Sequence, residues 1–278
     1  MFEPGKAPEG KETGMLPSQR RHAILAEVRS ATAVSAEALA RRFAVSVETI
    51  RRDLRSLERD GLLDRVYGGA TRPSGRSSEG SFAVRSVRNI GRKRAIATLA
   101  ASLIEPEETI IIDVGTTALE VARALPPAFR GRVLTNSVPA AMELSARRDI
   151  ELLISGGQVR AGDGACSGAH ADGFFGEFYA DRAFLGSGGV HSDAGLTDYY
   201  PSEVVVRRTI ITHTAACYVL ADSSKLGLIA VRRVCPLDQI TAIITDDQAD
   251  PDLVSGLEGA GATILIASAQ PQPAAQAG

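Results

Sequence analysis

Long apolar runs are missing from this sequence. No stretch approaches the roughly eighteen consecutive apolar residues that a transmembrane helix needs, so we expect no membrane span. Residues 1–17 are rich in Gly, Pro and Glu and lack the apolar core of a secretory signal. We therefore expect a disordered leader and a protein of the cytoplasm.

Cysteine and histidine are also scarce, and neither forms a recognisable site. The three cysteines lie far apart without a CxxC spacing, and the four histidines form neither a metal-binding spacing nor a catalytic dyad. This excludes a disulfide framework and gives no support for a zinc site, so we expect no metal and no cofactor. Thiols of this kind are typical of a reducing cytoplasm.

Charge is unevenly distributed along the chain. The formal net charge is −2, which by itself argues against a nucleic-acid-binding protein. Residues 1–76, however, hold fourteen Lys and Arg against ten Asp and Glu, whereas residues 77–278 hold seventeen against twenty-three. The basic N-terminal part and the acidic remainder predict that only the N-terminal part binds a polyanion.

Three helical patterns open the chain. Apolar residues at helical spacing predict helices over 20–29, over 36–43 and from Ser46 onward, with Ser35 and Ser46 as N-caps. Apolar pairs at 62–63 and 66–67, followed by Gly68 and Gly69, predict a short β-hairpin or wing. We expect a winged helix-turn-helix domain over residues 18–72.

The third helix carries a basic face opposite its apolar one. Such a face fits the major groove of DNA, where arginine can pair bidentately with guanine. On an isolated helix it would more often be an ordinary solvated surface, but three short helices and a wing together favour DNA binding. The predicted DNA contacts are Ser46, Glu48, Thr49, Arg51, Arg52, Arg55, Arg65 and Arg72.

The rest of the chain alternates short apolar runs with helical patterns after a linker at residues 73–88. Predicted strands are 109–113, 132–135, 151–154, 182–185, 217–220, 240–245 and 263–266. Predicted helices are 92–104, 118–125, 139–146, 172–179, 203–213 and 251–257. This alternation predicts an α/β domain over 89–266, with a mostly parallel sheet flanked by helices. The Ala-, Gln- and Pro-rich residues 267–278 are expected to be a disordered tail.

Small and polar residues follow most of these strands. The turn Asp113-Val114-Gly115-Thr116-Thr117 joins a strand to a helix start, where free N–H groups and hydroxyls can hold an anion. Taken alone, this turn would more often be a plain connector. Similar residues follow the other strands, and ligands of open α/β sheets bind at the carboxyl ends of strands, which predicts one shared pocket.

Several segments match the pattern of a known regulator family. In the first domain these are Arg20, Ile24, Val28, Ser46, residues 49–54 and residues 67–70. In the second they are Phe82, Arg85, Asn89, Lys93, residues 135–136 and 156–157, Glu203, Arg207 and residues 222–227. Over roughly residues 18–266 the chain resembles the DeoR/GlpR family of bacterial regulators.

The resemblance implies a repressor that binds operators near sugar-metabolism genes. It also implies a C-terminal domain similar in fold to ribose-5-phosphate isomerase, with a phosphorylated sugar or a related metabolite as effector. Strand ends and resemblance together predict these effector-binding residues: Lys93, Asp113, Gly115, Thr116, Thr117, Asn136, Gly156, Gly157, Gly188, Glu203, Arg207 and Lys225.

Two other functions remain to be weighed. A sugar-phosphate isomerase fused to a DNA-binding domain would need a carboxylate base, but Gly186-Ser187-Gly188-Gly189 stands where the isomerases have acidic residues. A domain that only oligomerises would not need the polar strand ends. We therefore expect a double-stranded DNA operator and a phosphorylated sugar as partners, and no enzymatic activity. Twofold operators suggest a homodimer or homotetramer.

Overall fold

The computed structural model describes residues 15–31, 33–59, 62–66, 68–71 and 79–268. The contacts within the chain divide it into two units between Ser74 and Gly75. Most of the expected leader and tail, and Arg72, lie outside the described residues. Two boundaries need correction: Pro17 already belongs to a helix, and Ala267 still belongs to a strand.

The first unit consists of short helices and strands. They are α1 (Pro17–Ser30), β1 (Ala33–Ser35), α2 (Ala36–Arg42), α3 (Val47–Arg59), β2 (Asp64–Val66) and β3 (Gly69–Thr71). The predicted N-caps are confirmed, because Ser35 Oγ accepts a hydrogen bond from Ala38 N and Ser46 Oγ accepts one from Thr49 N, each at 3.1 Å. Each cap satisfies a backbone donor that the first helical turn leaves without a partner.

A small antiparallel sheet completes this unit. The predicted hairpin pairs β2 with β3, and β1, which the sequence did not predict, pairs with the other side of β3. A Cβ atom on Gly69 would lie 2.0 Å from the carbonyl oxygen of Val34, so this close approach of two strands requires glycine. The apolar faces of the three helices meet in one core that contains Ile24, Leu39 and Ile50.

The second unit is built on a parallel sheet. Its helices are α4 (Phe82–Val87), α5 (Ile90–Ser102), α6 (Thr116–Ala124), α7 (Val138–Leu144), α8 (Ala169–Gly176), α9 (Pro201–Thr212) and α10 (Pro251–Gly259). Seven strands form the sheet: β4 (Thr109–Ile112), β5 (Arg132–Thr135), β6 (Glu151–Ile154), β9 (Ala180–Leu185), β12 (Thr214–Leu220), β14 (Ala242–Asp246) and β15 (Ile264–Ala267). Their order is β15-β14-β12-β9-β4-β5-β6, and every described pairing among them is parallel.

The sheet is covered on both faces, as its sequence predicts. Successive residues of β4 point to opposite sides, so Ile111 joins one core while Ile110 and Ile112 join the other. One core includes residues of α5, α6 and α7, and the other includes residues of α8, α9 and α10. Strands buried on both faces explain the continuous apolar runs of the sequence.

Several short elements were not predicted. A second antiparallel sheet joins β10 (Gly189–His191), β11 (Gly195–Asp198) and β13 (Arg232–Cys235), and a small ribbon joins β7 (Gln158–Val159) and β8 (Cys166–Ser167). Two 3-10 turns occupy Ser223–Lys225 and Leu237–Gln239. The expected linker at 73–88 is wrong in its second half, which contains α4.

No helix within the described ranges is long and apolar enough to cross a bilayer.

Candidate functional site

The basic face of α3 is exposed in the structure. Ile50, Leu54 and Leu57 are buried, as their spacing predicted, and this turns the opposite face outward. Ser46 and the charged side chains of that face are exposed, while Thr49 is half-buried next to its cap, with Ser46 Oγ 2.8 Å from Thr49 Oγ1. The exposed charged residues are Glu48, Arg51, Arg52 and Arg55.

Intramolecular ion pairs restrain some of these arginines. Glu48 lies 3.0 Å from Arg55 Nη2 and 3.7 Å from Arg51 Nη1. In the wing, Arg65 Nε donates to Glu58 at 2.7 Å. Arg52 is exposed, and no ion pair joins it to another of the described residues.

Arg20 and Asp53 belong to the interior of this unit and not to its exposed basic face. Arg20 Nε donates to Asp53 Oδ2 at 2.6 Å, and both side chains are only 9 % exposed. This buried pair joins α1 to α3. Glu58, which pairs with Arg65, was not among the residues predicted from the sequence.

The second site lies where the order of the parallel strands reverses. After β4 the chain adds β5 and β6 on one side and then crosses to β9 on the other side. Asp113 follows β4 and Gly186 follows β9, and Gly186 N donates to Asp113 Oδ2 at 3.0 Å. A Cβ atom on Gly186 would lie 2.6 Å from Val114 O, so the two strand ends touch here. Such reversal points are where open α/β sheets bind ligands.

A buried arginine links three carboxylates at this point. Arg207 of α9 lies 2.6 Å from Asp113 Oδ2 and 3.0 Å from Glu203 Oε2, and it also bonds to Asp198 at the end of β11. Burial acts to lower the pKa of Arg207, but attraction to Asp113, Asp198 and Glu203 outweighs it and holds this pKa well above its ordinary value. We call these four residues the arginine–carboxylate cluster.

Glu203 is bonded to arginines on both sides, and burial alters its pKa. Burial raises the pKa of Glu203 to about 7, although attraction to Arg207 and Arg160 acts in the other direction. Glu203 Oε1 bonds to Arg160, whose guanidinium lies 3.6 Å from the centroid of the Tyr200 ring. Each carboxyl oxygen of Glu203 is thus bonded to an arginine.

Cationic side chains lie beside the start of α6. Lys93 Nζ donates to Thr116 Oγ1 at 2.8 Å and to the carbonyl oxygen of Arg85. Burial lowers the pKa of Lys93 to about 8. Lys225 Nζ lies 3.4 Å from Gly188 O and 3.4 Å from Glu79 Oε1, and Glu79 also pairs with Arg85.

Two buried groups next to the reversal point have no hydrogen-bond partner among the described residues. They are Asp113 Oδ1 and the side-chain amide of Asn136, whose nitrogen and oxygen are both unpartnered. Buried polar atoms are usually satisfied by protein, water or ligand. These atoms therefore offer one carboxylate acceptor and one amide donor and acceptor to a polar ligand.

The structure brings only part of the predicted pocket into direct contact. Lys93 meets Thr116, Lys225 meets Gly188, and Asp113 joins Glu203 through Arg207. Gly115, with φ of 125°, is the N-cap of α6, and Thr117, the second residue of that helix, is half-buried.

Gly156 and Gly157 instead form the exposed turn after β6, the strand at the edge of the sheet. A Cβ atom on Gly157 would lie 2.5 Å from Ser167 O, so β8 can approach this turn only because glycine has no Cβ atom. This packing explains the glycine without a ligand.

Four charged residues that bond to the predicted ones were not expected as side-chain partners from the sequence: Glu79, Arg85, Arg160 and Asp198. Asp198 ends a short strand that was not predicted, and Arg160 follows β7, which was not predicted either. No group of three or more His, Cys, Asp and Glu side chains that could hold a metal ion occurs in the described residues.

Comparison with known families covers both units. The DeoR-like helix-turn-helix domain matches residues 20–76, and the DeoR C terminal sensor domain matches residues 88–247. The chain is 34 % identical to the HTH-type transcriptional regulator GlpR of Haloferax volcanii over 251 residues, or 90 % of this chain and 98 % of that protein. It is 33 % identical to the glycerol-3-phosphate regulon repressor of Escherichia coli K12, covering 84 % of this chain and 92 % of that one.

Among solved structures, ribose 5 phosphate isomerase A from Neisseria gonorrhoeae aligns with 48 % of this chain and 52 % of its own. The identity is 18 % and the TM-score 0.35, and values this low identify neither a shared ligand nor a shared activity. The family matches are much stronger evidence of relationship, because they span both units and the relatives align over nearly their whole length. With its helix-turn-helix unit and its sensor unit both matched, the chain belongs to the DeoR family of transcriptional regulators.

Proposed function

We propose that this chain is a transcriptional repressor of carbohydrate-metabolism genes whose second unit binds a phosphorylated sugar or a related metabolite. One observation carries the proposal: at the reversal point of the sheet, cations occur together with buried polar atoms that have no partner among the described residues. Lys93, Lys225 and Thr116 suit a phosphate group. Asp113 Oδ1 and the amide of Asn136 suit sugar hydroxyls.

Glu203 and Arg207 have an indirect role in this proposal. Both oxygens of Glu203 are bonded to arginines, and the guanidinium of Arg207 is engaged by three carboxylates. They act by holding Asp113 with one oxygen turned away from the ion pair. A ligand hydroxyl would then find Asp113 already oriented, which reduces the entropy lost on binding.

DNA binding is assigned to α3 and the wing. Arg52 is our candidate for direct base contact, because it is exposed and forms no ion pair with the described residues. Arg51, Arg55 and Arg65 would exchange Glu48 or Glu58 for phosphate or base oxygens. Operators recognised by helix-turn-helix proteins are commonly twofold symmetric, so we propose a homodimer or homotetramer in the cytoplasm.

The isomerase alternative has less support. Aldose–ketose isomerisation needs a carboxylate that is free to abstract a proton. Asp113 is the nearest candidate, but its Oδ2 is held by Arg207 at 2.6 Å and by Gly186 N at 3.0 Å. Because this carboxylate is already paired with Arg207, we propose that it orients a sugar phosphate and that the protein does not convert the ligand.

A thermal-shift screen tests the proposal. The panel contains ribose 5-phosphate, fructose 1-phosphate, glucose 6-phosphate and glycerol 3-phosphate, each beside its unphosphorylated counterpart. A ligand at about 100 times its Kd should stabilise the protein by about 2.7 kcal/mol. We expect stabilisation by at least one phosphorylated compound, loss of that effect in a Lys225→Ala, Thr116→Val variant, and its retention in an Arg148→Met control.

The same variants are then titrated with DNA from upstream of the gene for this chain, with and without the compound found. A change in DNA affinity of about 5- to 150-fold is the usual range of such a coupling. If no phosphorylated compound stabilises the protein, or if the double variant responds like the parent, this pocket is not the effector site.

A further inference from the structure

Glu79 places a carboxylate among the cations of the proposed phosphate site. Its side chain is only 10 % exposed, and its Oε1 lies 3.0 Å from Arg85 Nη1 and 3.4 Å from Lys225 Nζ. Lys225 is one of the two lysines proposed to bind the phosphate. An acidic side chain of the chain itself therefore occupies a position that suits a ligand anion.

The two cations that contact Glu79 also lie near Lys93. Burial is the largest cause that lowers the pKa of Lys93, repulsion from Arg85 and Lys225 adds to it, and attraction to Asp222 acts in the other direction. Arg85 also donates through Nε to Gly80 O at 2.8 Å, while its own carbonyl oxygen accepts from Lys93. Segment 79–85 is thus bonded to the same cations that a phosphate would need.

We propose that Glu79 is an internal competitor for the effector phosphate, bound to Lys225 and Arg85 when the site is empty and displaced when it is filled. This inference rests on the proposed function, because it assigns a regulatory role at the same site. A phosphate dianion carries more charge and more acceptor oxygens than a carboxylate, so it can displace Glu79 from both cations.

The position of Glu79 in the chain gives this exchange a consequence. Glu79 follows Thr71, the last residue of β3 in the DNA-binding unit, by only eight residues. Release of Glu79 frees the beginning of the sensor unit next to the segment that connects it to the DNA-binding unit. A ligand changes DNA affinity only if it favours one state over another, and the loss of the Glu79 contacts supplies such a difference.

The test compares Glu79→Gln with the parent in the full chain, with inorganic phosphate as the probe and calorimetry as the readout. Glutamine keeps the size of the side chain and removes its charge. We expect Glu79→Gln to bind phosphate about three- to tenfold more tightly, since a competing ion pair is removed. Glu177→Gln, the same change at an exposed position, should bind like the parent, and Lys225→Ala should bind more weakly.

Amide hydrogen exchange supplies a second readout at α4 (Phe82–Val87). Phosphate should raise exchange there in the parent, whereas in Glu79→Gln exchange should already be high and phosphate should not raise it. Equal phosphate affinity in the parent and Glu79→Gln, together with weaker binding by Lys225→Ala, would overturn the competitor role and leave the site intact. Equal affinity in the parent, Glu79→Gln and Lys225→Ala, or no binding in any of them, would remove the site and the competitor together. Lower exchange at α4 on addition of phosphate would mean that Glu79 stays in place, which contradicts displacement.

Discussion

Replacing Arg207 with methionine should destabilise the second unit strongly. The guanidinium is buried and bonds to Asp113, Glu203 and Asp198, so its removal leaves three carboxylates without that cation. Removing one partner of a buried ion pair costs about 3–5 kcal/mol. Backbone N–H groups of Gly186 and Tyr199 still bond to Asp113 and Asp198, and Arg160 still bonds to Glu203. We therefore expect about 4 kcal/mol at pH 8.5, within that range.

The free energy of unfolding that Arg207→Met costs should become smaller as the pH falls. Burial first, and then its carboxylate neighbours, already raise the pKa of Glu203 to about 7, and the loss of Arg207 would raise it further. A folded state that binds more protons than the unfolded state loses stability as the pH rises through that window. The variant therefore continues to lose stability above pH 7, where the parent has levelled off, so the difference is larger at pH 8.5 than at pH 6.

Urea unfolding followed by far-UV circular dichroism measures both quantities, fitted with one transition for each unit because two-state behaviour is not expected of two units. Arg148→Met, at an exposed position, is the control and should stay within about 0.5 kcal/mol of the parent. Adding Asp113→Asn and Asp198→Asn to Arg207→Met should recover part of the loss, because uncharged groups are cheaper to bury. A loss below about 1 kcal/mol, or one that is the same at pH 6 and pH 8.5, would show that the cluster does not hold the fold in the way described.

Three further outcomes are expected. Arg52→Ala should cost about 1–3 kcal/mol of specific DNA affinity, whereas Arg65→Ala should weaken binding to all DNA and reduce the salt slope by about one; anisotropy titrations at several salt concentrations separate the two, and parent-like specific binding by Arg52→Ala would exclude base reading. Phosphate affinity should fall as the pH rises from 7.5 to 9.5, because Lys93, with its pKa lowered to about 8 by burial, loses its positive charge in that window. The phosphate affinity of a Lys93→Met variant should not change over this range. If it falls as much as that of the parent, another group causes the pH dependence. Gly186→Ala should cost about 1–3 kcal/mol in urea unfolding, since its methyl group would lie 2.6 Å from Val114 O; an unchanged midpoint would mean that the strand ends separate easily.

The sequence predicted the sheet well because its strands are buried on both faces. A run such as Ile110-Ile111-Ile112 must be covered from both sides, so the alternation with helices is visible without any structure. The N-terminal helices were predictable for a related reason, since apolar spacing and the Ser35 and Ser46 caps agree. The ends of the predicted elements were less accurate, as the start of α6 at Thr116 illustrates.

The remaining elements carry no such signal. Strand β11 (Gly195–Asp198) is four residues of Gly, Leu, Thr and Asp, which read as a turn until its neighbours are known. Helix α4 has no buried residue, and a helix of this kind is indistinguishable from a polar linker by periodicity.

The choice of partners at the site could not be predicted either. Asp113, Asp198 and Glu203 come from three separate elements, and only the fold decides that all three meet Arg207. Glu79 lies within the segment that was predicted to be a linker, and the spacing of residues in the sequence does not predict its contacts with Arg85 and Lys225.

The contact between Gly186 and Val114 limits how relatives of this protein can diversify. Because β4 and β9 touch at this point, no larger side chain can be introduced there without parting the sheet. Variation that changes ligand preference must therefore accumulate outside these strand ends, for example at the half-buried Tyr199 and Tyr200. We expect related sensors to keep the contact between the two strand ends and to differ at such positions, so that a new ligand can be accepted after a few substitutions.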